Sequence, residues 1–390
     1  MKPLKIRLDN LYTHIFCKIS ATPELLTPYV RRLLRFVALP YCYICLINWN
    51  ECNKSKIGVV YDLLYIFFRL KYYPFNYSLC RLWEKPKHEW KYYYGSNYEP
   101  YQRARLLKEV QRKEYAIIFD DKEICYQICK SYYLPLPKQY GCIDTSDDYR
   151  NRIVSILESN PNDTLIIKPV RGAGGKDIVL ANKQEGAITI RDGLETYGLN
   201  EYELKNRSVV QKYLKQHQSL QKISSTFNTI RVVTMLTKAS DFLLVGAFIR
   251  FGVASSYVDN LCSGGIAVGV DVASGKLFNV AYDFNSQNYA CHPTSGIYFS
   301  EITIPLWGDI VSLAEKTQSC FKYYKLLGLD IGVTEDGPVL IEINPAHDNI
   351  ALEQNSGPIL KNAAVLKAYR EYDLLPRSVS LNDKGDFNNE

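Results

Sequence analysis

The 390-residue chain reads as an α+β protein, a helical, tyrosine-rich N-terminal region followed by a body of antiparallel strands. Three patterns carry this. Up to about residue 110, apolar residues recur at helical spacing among crowded aromatics. From Asp163 onward, short β-branched runs alternate with Gly, Asn and Asp, the punctuation of strands and turns. A long helical stretch with Pro305 at its start and Gly328 at its end, and a last one around Gly357 to Leu374, complete the body.

The elements follow in order. "TPELLTPYVRRLLRFV" opens with Thr22-Pro23, a plausible helix start, and "VVYDLLYIFFRLKYY" is a second helix. Tyr92, Tyr93, Tyr94, Tyr98 and Tyr101 crowd behind them. They fit amphipathic packing, and a sugar- or partner-binding face is the other reading. Residues 111–162 form a small α/β unit: a strand at Ala116 to Phe119, a helix capped by Asp120 or Asp121, an extended segment from Leu134 to Tyr140, and a further helix. Residues 163–376 are the main body, and the polar tail, 377–390, is too poor in apolar residues to fold.

Bulk composition excludes several classes. Lys plus Arg is 47 against 41 Asp plus Glu, a net charge of +6 with both signs mixed, so nucleic acid is not a predicted partner. The N-terminus shows no secretory pattern. The longest apolar stretch, Phe36 to Trp49, contains Pro40 and is too short to cross a bilayer, though it leaves contact with a membrane surface open. The 11 cysteines are odd in number and many sit in apolar runs, which fits reduced, buried thiols in a cytoplasmic protein. Cys42, Cys45 and Cys52 have a faint metal-like spacing without a fourth ligand nearby.

"TLIIKPVRGAGGKDIVLA" places Lys168 and the glycines Gly172, Gly174 and Gly175 between two apolar runs. Backbone N–H groups in such a loop can approach an anion with no side chain in the way. A P-loop needs a glycine where Val170 stands and Ser or Thr after Lys176, where Asp177 stands. A dinucleotide fingerprint needs a helix next, whereas Ile178-Val179-Leu180 reads as a strand. The loop therefore joins two strands, either as a phosphate cradle or as a flexible hairpin tip.

"LDIGVTEDGPVLIEINPA" reads as a hairpin. With a three-residue loop, Asp330 falls opposite Glu342, and Asn344 follows on the same face because strands repeat every two residues. Three oxygen donors on one face suit Mg²⁺. A solvated Glu on a half-exposed sheet is the alternative. Arg231 lies inside the apolar run "NTIRVVTM", so it belongs at a sheet edge or against a polar site, where it can stabilise a transferring phosphate.

Together these stretches resemble an ATP-grasp fold, two α/β subdomains gripping ATP. "IIKPVRGAGGKDIV" resembles its lysine strand and glycine loop, "VVQKYL" its hinge strand, and "LDIGVTEDGPVLIEIN" its magnesium hairpin. "NTIRVVT", "VDNLCSGGIAVGVDVASGKL" and "HPTSG" resemble the sugar-transfer-associated subfamily, related to α-L-glutamate ligases. The resemblance spans roughly Asp120 to Pro358. It implies that Lys168 and Lys176 meet ATP phosphates and that Gly172, Gly174 and Gly175 form a lid. It implies hinge contacts at Gln211, Lys212 and Tyr213, magnesium at Asp330, Glu342 and Asn344, and phosphate on Arg231 with Arg250 as a second. Gln211 stands where a glutamate is usual, and Thr294-Ser295 where an acidic residue is usual. The implied activity is ATP- and Mg²⁺-dependent ligation of a carboxylate to an amine through an acyl phosphate. In that setting an amino acid is joined to a sugar or lipid-linked sugar for surface polysaccharide. The same clamp also fits a kinase, a peptide or glutamate ligase, or a non-catalytic scaffold.

Overall fold

The structure, a computed structural model, describes residues 36–375 apart from 71–73, 98–99, 147, 173, 185, 254–258, 260 and 262–263. The first expected helix (except Phe36 and Val37), Tyr98, parts of the "VDNLCSGG" stretch and the polar tail lie outside the described residues.

Two antiparallel sheets organise the body. The first contains β1 (Gln139–Ile143), β2 (Leu165–Pro169), β3 (Val179–Gln184), β4 (Ala187–Asp192), β5 (Glu195–Gly198) and β6 (Ser208–Lys212), in the order β1-β6-β2-β3-β4-β5. The second contains β7 (Ile230–Leu236), β8 (Phe242–Phe251), β9 (Ile266–Val270), β10 (Leu277–Asp283), β11 (Asn288–Tyr289), β12 (Leu326–Thr334) and β13 (Gly337–Asn344), in the order β11-β10-β9-β8-β7-β12-β13. The helices are α1 (Lys56–Tyr65), α2 (Lys122–Ser131), α3 (Tyr149–Ser159), α4 (Trp307–Cys320), α5 (Asn349–Ser356) and α6 (Ala363–Glu371), with short helical turns between them.

Strand alternation decides which face of each sheet is free. In the first, Leu165, Ile167, Val179, Ala181, Ile190 and Val210 pack on Ile153 and Leu157 of α3. Their alternates, Ile166, Lys168, Leu180, Asn182, Arg191 and Gln211, therefore share the opposite face. In the second, Val232, Ile249, Leu329 and Ile331 pack on Ile310 and Leu313 of α4. The reverse face meets α5 and α6 through Val233, Leu352, Val365 and Tyr369, and it also carries Arg231 and Asp330.

The N-terminal region is an aromatic core of its own. Tyr77, Trp90 and Tyr93 are buried together, and the Tyr94 ring stands edge-on to Tyr369, 4.8 Å between centroids. The crowded tyrosines at 93 and 94 are thus packing residues, as are Cys42 and Cys45, both buried. No helix among the described residues is long and apolar enough to cross a membrane.

Four expectations are corrected. Residues 117–120 form a helical turn rather than a strand, because Phe119 packs on Phe321 and Tyr324 and Asp121 at once caps α2 through Glu123 N and Ile124 N. The helix after Pro305 ends at Cys320, not Gly328. Gly328 is mid-strand, where a Cβ would stand 2.9 Å from His347, so it serves close packing rather than a helix stop. Gly357, at φ 83°, ends α5 instead of opening the last helix. The hairpin turn is two residues, Thr334 pairing with Gly337, and a bulge between Asp330 and Ile331 adds the residue that brings Asp330 opposite Glu342.

Candidate active site

The face of the second sheet that meets α5 and α6 also carries a row of charge. Asp330 of β12 pairs with Arg231 on one side and Glu342 on the other. Side chains directly opposite on an antiparallel pair share a face, so the three are neighbours. Arg231 Nη2 donates to Asp330 Oδ2 at 3.0 Å, and Arg250 Nη2 lies 3.0 Å from the same oxygen. Asn344 Nδ2 donates to it at 3.3 Å. Burial alone would raise the Asp330 carboxyl, but Arg231 and Arg250 hold it below the usual carboxylate range. Arg231 is central in the sheet, between β8 and β12, so the polar-site alternative for this arginine is the one observed.

Beyond Arg250 the network reaches Asp259. Its Oδ2 lies 3.7 Å from Arg250 Nε and accepts from Thr229 N at 2.7 Å, while Arg250 Nε donates to Thr229 Oγ1 at 3.1 Å. Burial raises the Asp259 carboxyl against the pull of Arg250. Asp259 belongs to the stretch "VDNLCSGGIAVGVDVASGKL", whose resemblance to the subfamily assigns it no role of its own.

The first sheet and α2 supply one lysine each. Lys168 is buried on β2, and burial pushes its amine down to about 8, with Glu342 and Asp330 opposing. Lys122, at the start of α2, was also missed. Its Nζ lies 3.2 Å from Glu342 Oε1 and donates to Gly172 O at 3.0 Å, so it joins the carboxylate hairpin to the glycine loop. The signal available was its place one residue after the capping Asp121, which a helix start alone explains. Lys122 N also donates to Val170 O at 3.1 Å, fixing the entry to the loop. Gly174 and Gly175 adopt φ 74° and 73°, a left-handed path that a side chain disfavours. Lys176 is exposed in the same loop.

Lys122, Lys168, Gln211, Leu340 and Glu342 line one cleft between the sheets. Gln211 Nε2 donates to Gln139 Oε1 at 3.0 Å, while Gln211 Oε1 is buried with no hydrogen-bond partner among the described residues. Lys212 pairs through its side chain with Asp163 at 2.7 Å, leaving its backbone in the hinge strand, and Tyr213 N donates to Thr164 O. His292 is structural: its Nε2 is 3.0 Å from Gly252 O, and Thr294 N and Ser295 N donate to Nδ1.

Among the described residues no three of His, Cys, Asp or Glu cluster with metal-site geometry. The carboxylates of Asp330 and Glu342 and the amide of Asn344 are neighbours on one face of the hairpin, with the Asp330 oxygens held by Arg231, Arg250 and Asn344 Nδ2 and Glu342 paired with Lys122. A set of hard oxygens with few carboxylates fits a magnesium ion that keeps water and phosphate in its remaining positions.

No curated protein matches the chain. Three solved structures resemble it. D-alanine–D-alanine ligase from Bacillus anthracis has a TM-score of 0.37 at 14% identity, over 68% of this chain and 68% of its own. D-cycloserine synthetase has a TM-score of 0.37 at 12% identity, over 65% and 70%. The ADP complex of N5-carboxyaminoimidazole ribonucleotide synthetase has a TM-score of 0.37 at 10% identity, over 60% of this chain and 46% of that one. The chain thus spans about half of the synthetase's length. A family model described as sugar-transfer associated ATP-grasp matches residues 101–364, taking in the lysine strand, the glycine loop and the carboxylate hairpin. On that match, over more than half its length, the chain belongs to the sugar-transfer associated ATP-grasp family.

Proposed function

We propose that this protein is an ATP- and magnesium-dependent carboxylate–amine ligase that joins an amino acid to a sugar, in the cytoplasm, for surface-polysaccharide synthesis. The observation that carries the reading is one charged cluster: Lys122, bonded to Gly172 of the glycine loop, pairs with Glu342 beside Lys168 in one cleft, and Asp330, opposite Glu342, is held by Arg231 and Arg250.

In the proposed reaction a carboxylate oxygen attacks the γ-phosphorus of ATP, and the bond from that phosphorus to the ADP oxygen breaks. The acyl phosphate is then attacked by an amine. The C–N bond forms, the C–O bond to phosphate breaks, and the amine loses its proton. Magnesium at Asp330, Glu342 and Asn344, when bound, supplies charge neutralisation on the phosphate oxygens. Lys122, Lys168 and Lys176 bind phosphate oxygens, Gln211 with the Lys212 and Tyr213 backbone holds the base, and Arg231 and Arg250 stabilise the transferring group. Gly172, Gly174 and Gly175 close over it and exclude water.

The N-terminal region, 1–110, is assigned to docking on an anionic membrane surface, where lipid-linked sugars reside. The support is the outer face of residues 56–70: Ile57, Tyr61 and Phe68 are 71%, 67% and 64% exposed, with Val60 and Leu64 between them. Lys56 and Arg69 flank this stripe, and the acid of the stretch, Asp62, is buried. An apolar stripe with basic ends matches an interfacial helix.

Incubation with Mg-ATP, hydroxylamine and a panel of amino acids and sugar acids tests the ligase. The predicted result is a hydroxamate with one carboxylate, absent in Glu342→Ala. ADP release with a stable phosphate ester and no hydroxamate would make the protein a kinase instead.

A further inference from the structure

The Asp330 carboxylate is crowded. Arg231 donates to Oδ1 through Nε and to Oδ2 through Nη2, Arg250 Nη2 lies 3.0 Å from Oδ2, and Asn344 Nδ2 donates to Oδ2 at 3.3 Å. A carboxylate offers about four lone-pair sites, and these nitrogen donors fill them. The carboxylate takes a cation only when one donor withdraws.

Charge and geometry decide which donor that is. Asn344 is neutral, and its withdrawal would leave both guanidiniums facing an arriving dication. Arg231 holds both oxygens, and among the described residues Asp330 is the acid it pairs with. Arg250 meets Asp330 through one oxygen and has a second set of partners. Its Nε and Nη2 both donate to Thr229 Oγ1, and its Nε lies 3.7 Å from Asp259 Oδ2. Thr229 donates to that same Oδ2 through its N, at 2.7 Å, and through its hydroxyl. Thr229 thus pins the Asp259 carboxylate beside the guanidinium, just beyond hydrogen-bond distance. A charge-assisted N–H···O bond is about 2.7–2.9 Å long, so a shift of about 1 Å completes the pair. The backbone need not follow, because Arg250 N donates to Thr229 O at 3.0 Å and ties the two residues together.

We infer that Asp259 is a positioning residue for the magnesium site: it takes Arg250 over from Asp330 and so frees an Asp330 oxygen for the metal. The inference rests on the magnesium part of the ligase reading and goes beyond it, giving Asp259 a role and Arg250 two positions. Without the Asp259 charge, Arg250 stays on Asp330 and competes with the metal. Without the Arg250 guanidinium, Asp259 has nothing to receive, and its loss does not reach the metal.

ADP titrated into the full chain by calorimetry, once with Mg²⁺ and once with EDTA, gives the metal gain as the ratio of two affinities. We expect Asp259→Asn to lower this gain at least about fivefold, and Asp259→Glu, which keeps the charge, to lower it less. Arg250→Gln keeps the wild-type gain or exceeds it, and in that background Asp259→Asn changes the gain by less than about twofold. Should Asp259→Asn melt below the assay temperature, Thr229→Val takes its place. It keeps the shape but removes the hydroxyl that holds both groups, and its smaller loss of gain also vanishes beside Arg250→Gln. A gain that Asp259→Asn leaves unchanged overturns the inference. So does an equal fall in the Arg250→Gln background, which would mean that the acid acts on the metal through its field alone; in either case the magnesium site itself stands. No gain in the wild-type chain removes the magnesium reading, and the inference falls with it.

Discussion

Arg231 and Asp330 stand directly opposite each other on adjacent central strands, and the carboxylate is shared with Arg250. All three are largely buried, so Arg231 depends on this acid, while Arg250 shares it and has Asp259 as a second. Asp330→Asn leaves buried Arg231 without a counter-charge and Arg250 with Asp259 alone, and we predict a loss of about 3–5 kcal/mol in urea unfolding. Glu342 is about one-third exposed and paired with Lys122, and Glu342→Gln should cost under about 1 kcal/mol. Equal losses would mean that Asp330 is not the keystone of the cluster. Because the native Asp330 pKa lies below the ordinary 3.8, its contribution is complete above about that pH and fades in stronger acid.

Lys168 shows the opposite balance. Burial pushes its amine from 10.5 to about 8, so between those values the unfolded chain holds a proton that the folded chain lacks. Stability from this group therefore rises with pH across that window, and at neutral pH the buried charge costs about 3 kcal/mol. Lys168→Met should stabilise the ligand-free protein by about 1–3 kcal/mol at pH 7 while weakening nucleotide binding. In the wild type, an arriving phosphate restores the charge, so ADP binding near pH 8.5 takes up protons. Calorimetry in buffers of different ionisation enthalpy reads this uptake, and none would contradict the phosphate role.

Glu353 ties the N-terminal region to α5. It accepts from Tyr94 N at 2.6 Å, Gly95 N at 2.9 Å and Asn76 Nδ2 at 3.2 Å. Burial pushes the carboxyl upward, yet both oxygens receive N–H donors, which leaves no acceptor for a carboxyl proton. Glu353→Gln turns one acceptor into a donor facing a backbone N–H. We predict a loss of about 1–3 kcal/mol at pH 7. An unchanged denaturation midpoint would show that the acid is already neutral there.

The stripe from Ile57 to Phe68 predicts sedimentation with vesicles containing phosphatidylglycerol, and little with neutral vesicles. Ile57→Glu with Leu64→Glu should remove it without lowering the melting temperature. Unaltered vesicle binding would place the contact elsewhere, and a dimer that the variant converts to a monomer would assign the stripe to a second copy.

Much of this was legible because it is periodic. The alternation in "LIIKP", "IRVVTML" and "LIEIN" fixes which residues share a face, and in the hairpin it places Asp330, Glu342 and Asn344 together. Arg231 reads from sequence as an edge or polar-site residue, and only the pairing of β7 with β12 sets it opposite Asp330. The pairing of Asp330 with Glu342 came from a three-residue loop, and the observed two-residue turn plus bulge gives the same register. What stayed hidden depends on distant contacts. Residues 117–120 look like a strand until Phe321 and Tyr324 arrive to pack Phe119. Lys122 and Asp259 acquire meaning only from Glu342 and Arg250, each far away in sequence. The glycine at 328 reads as a helix stop because His347, which it accommodates, is nineteen residues on.

The central claim is that Lys122, Lys168, Asp330 and Glu342 form a magnesium–nucleotide site, and ADP binding to the full chain with and without Mg²⁺ tests it most directly. We predict that Mg²⁺ raises ADP affinity at least about tenfold in the wild type, and that Glu342→Gln loses this gain while keeping its melting temperature. An ADP affinity indifferent to Mg²⁺, or a gain that survives in Glu342→Gln, would contradict it.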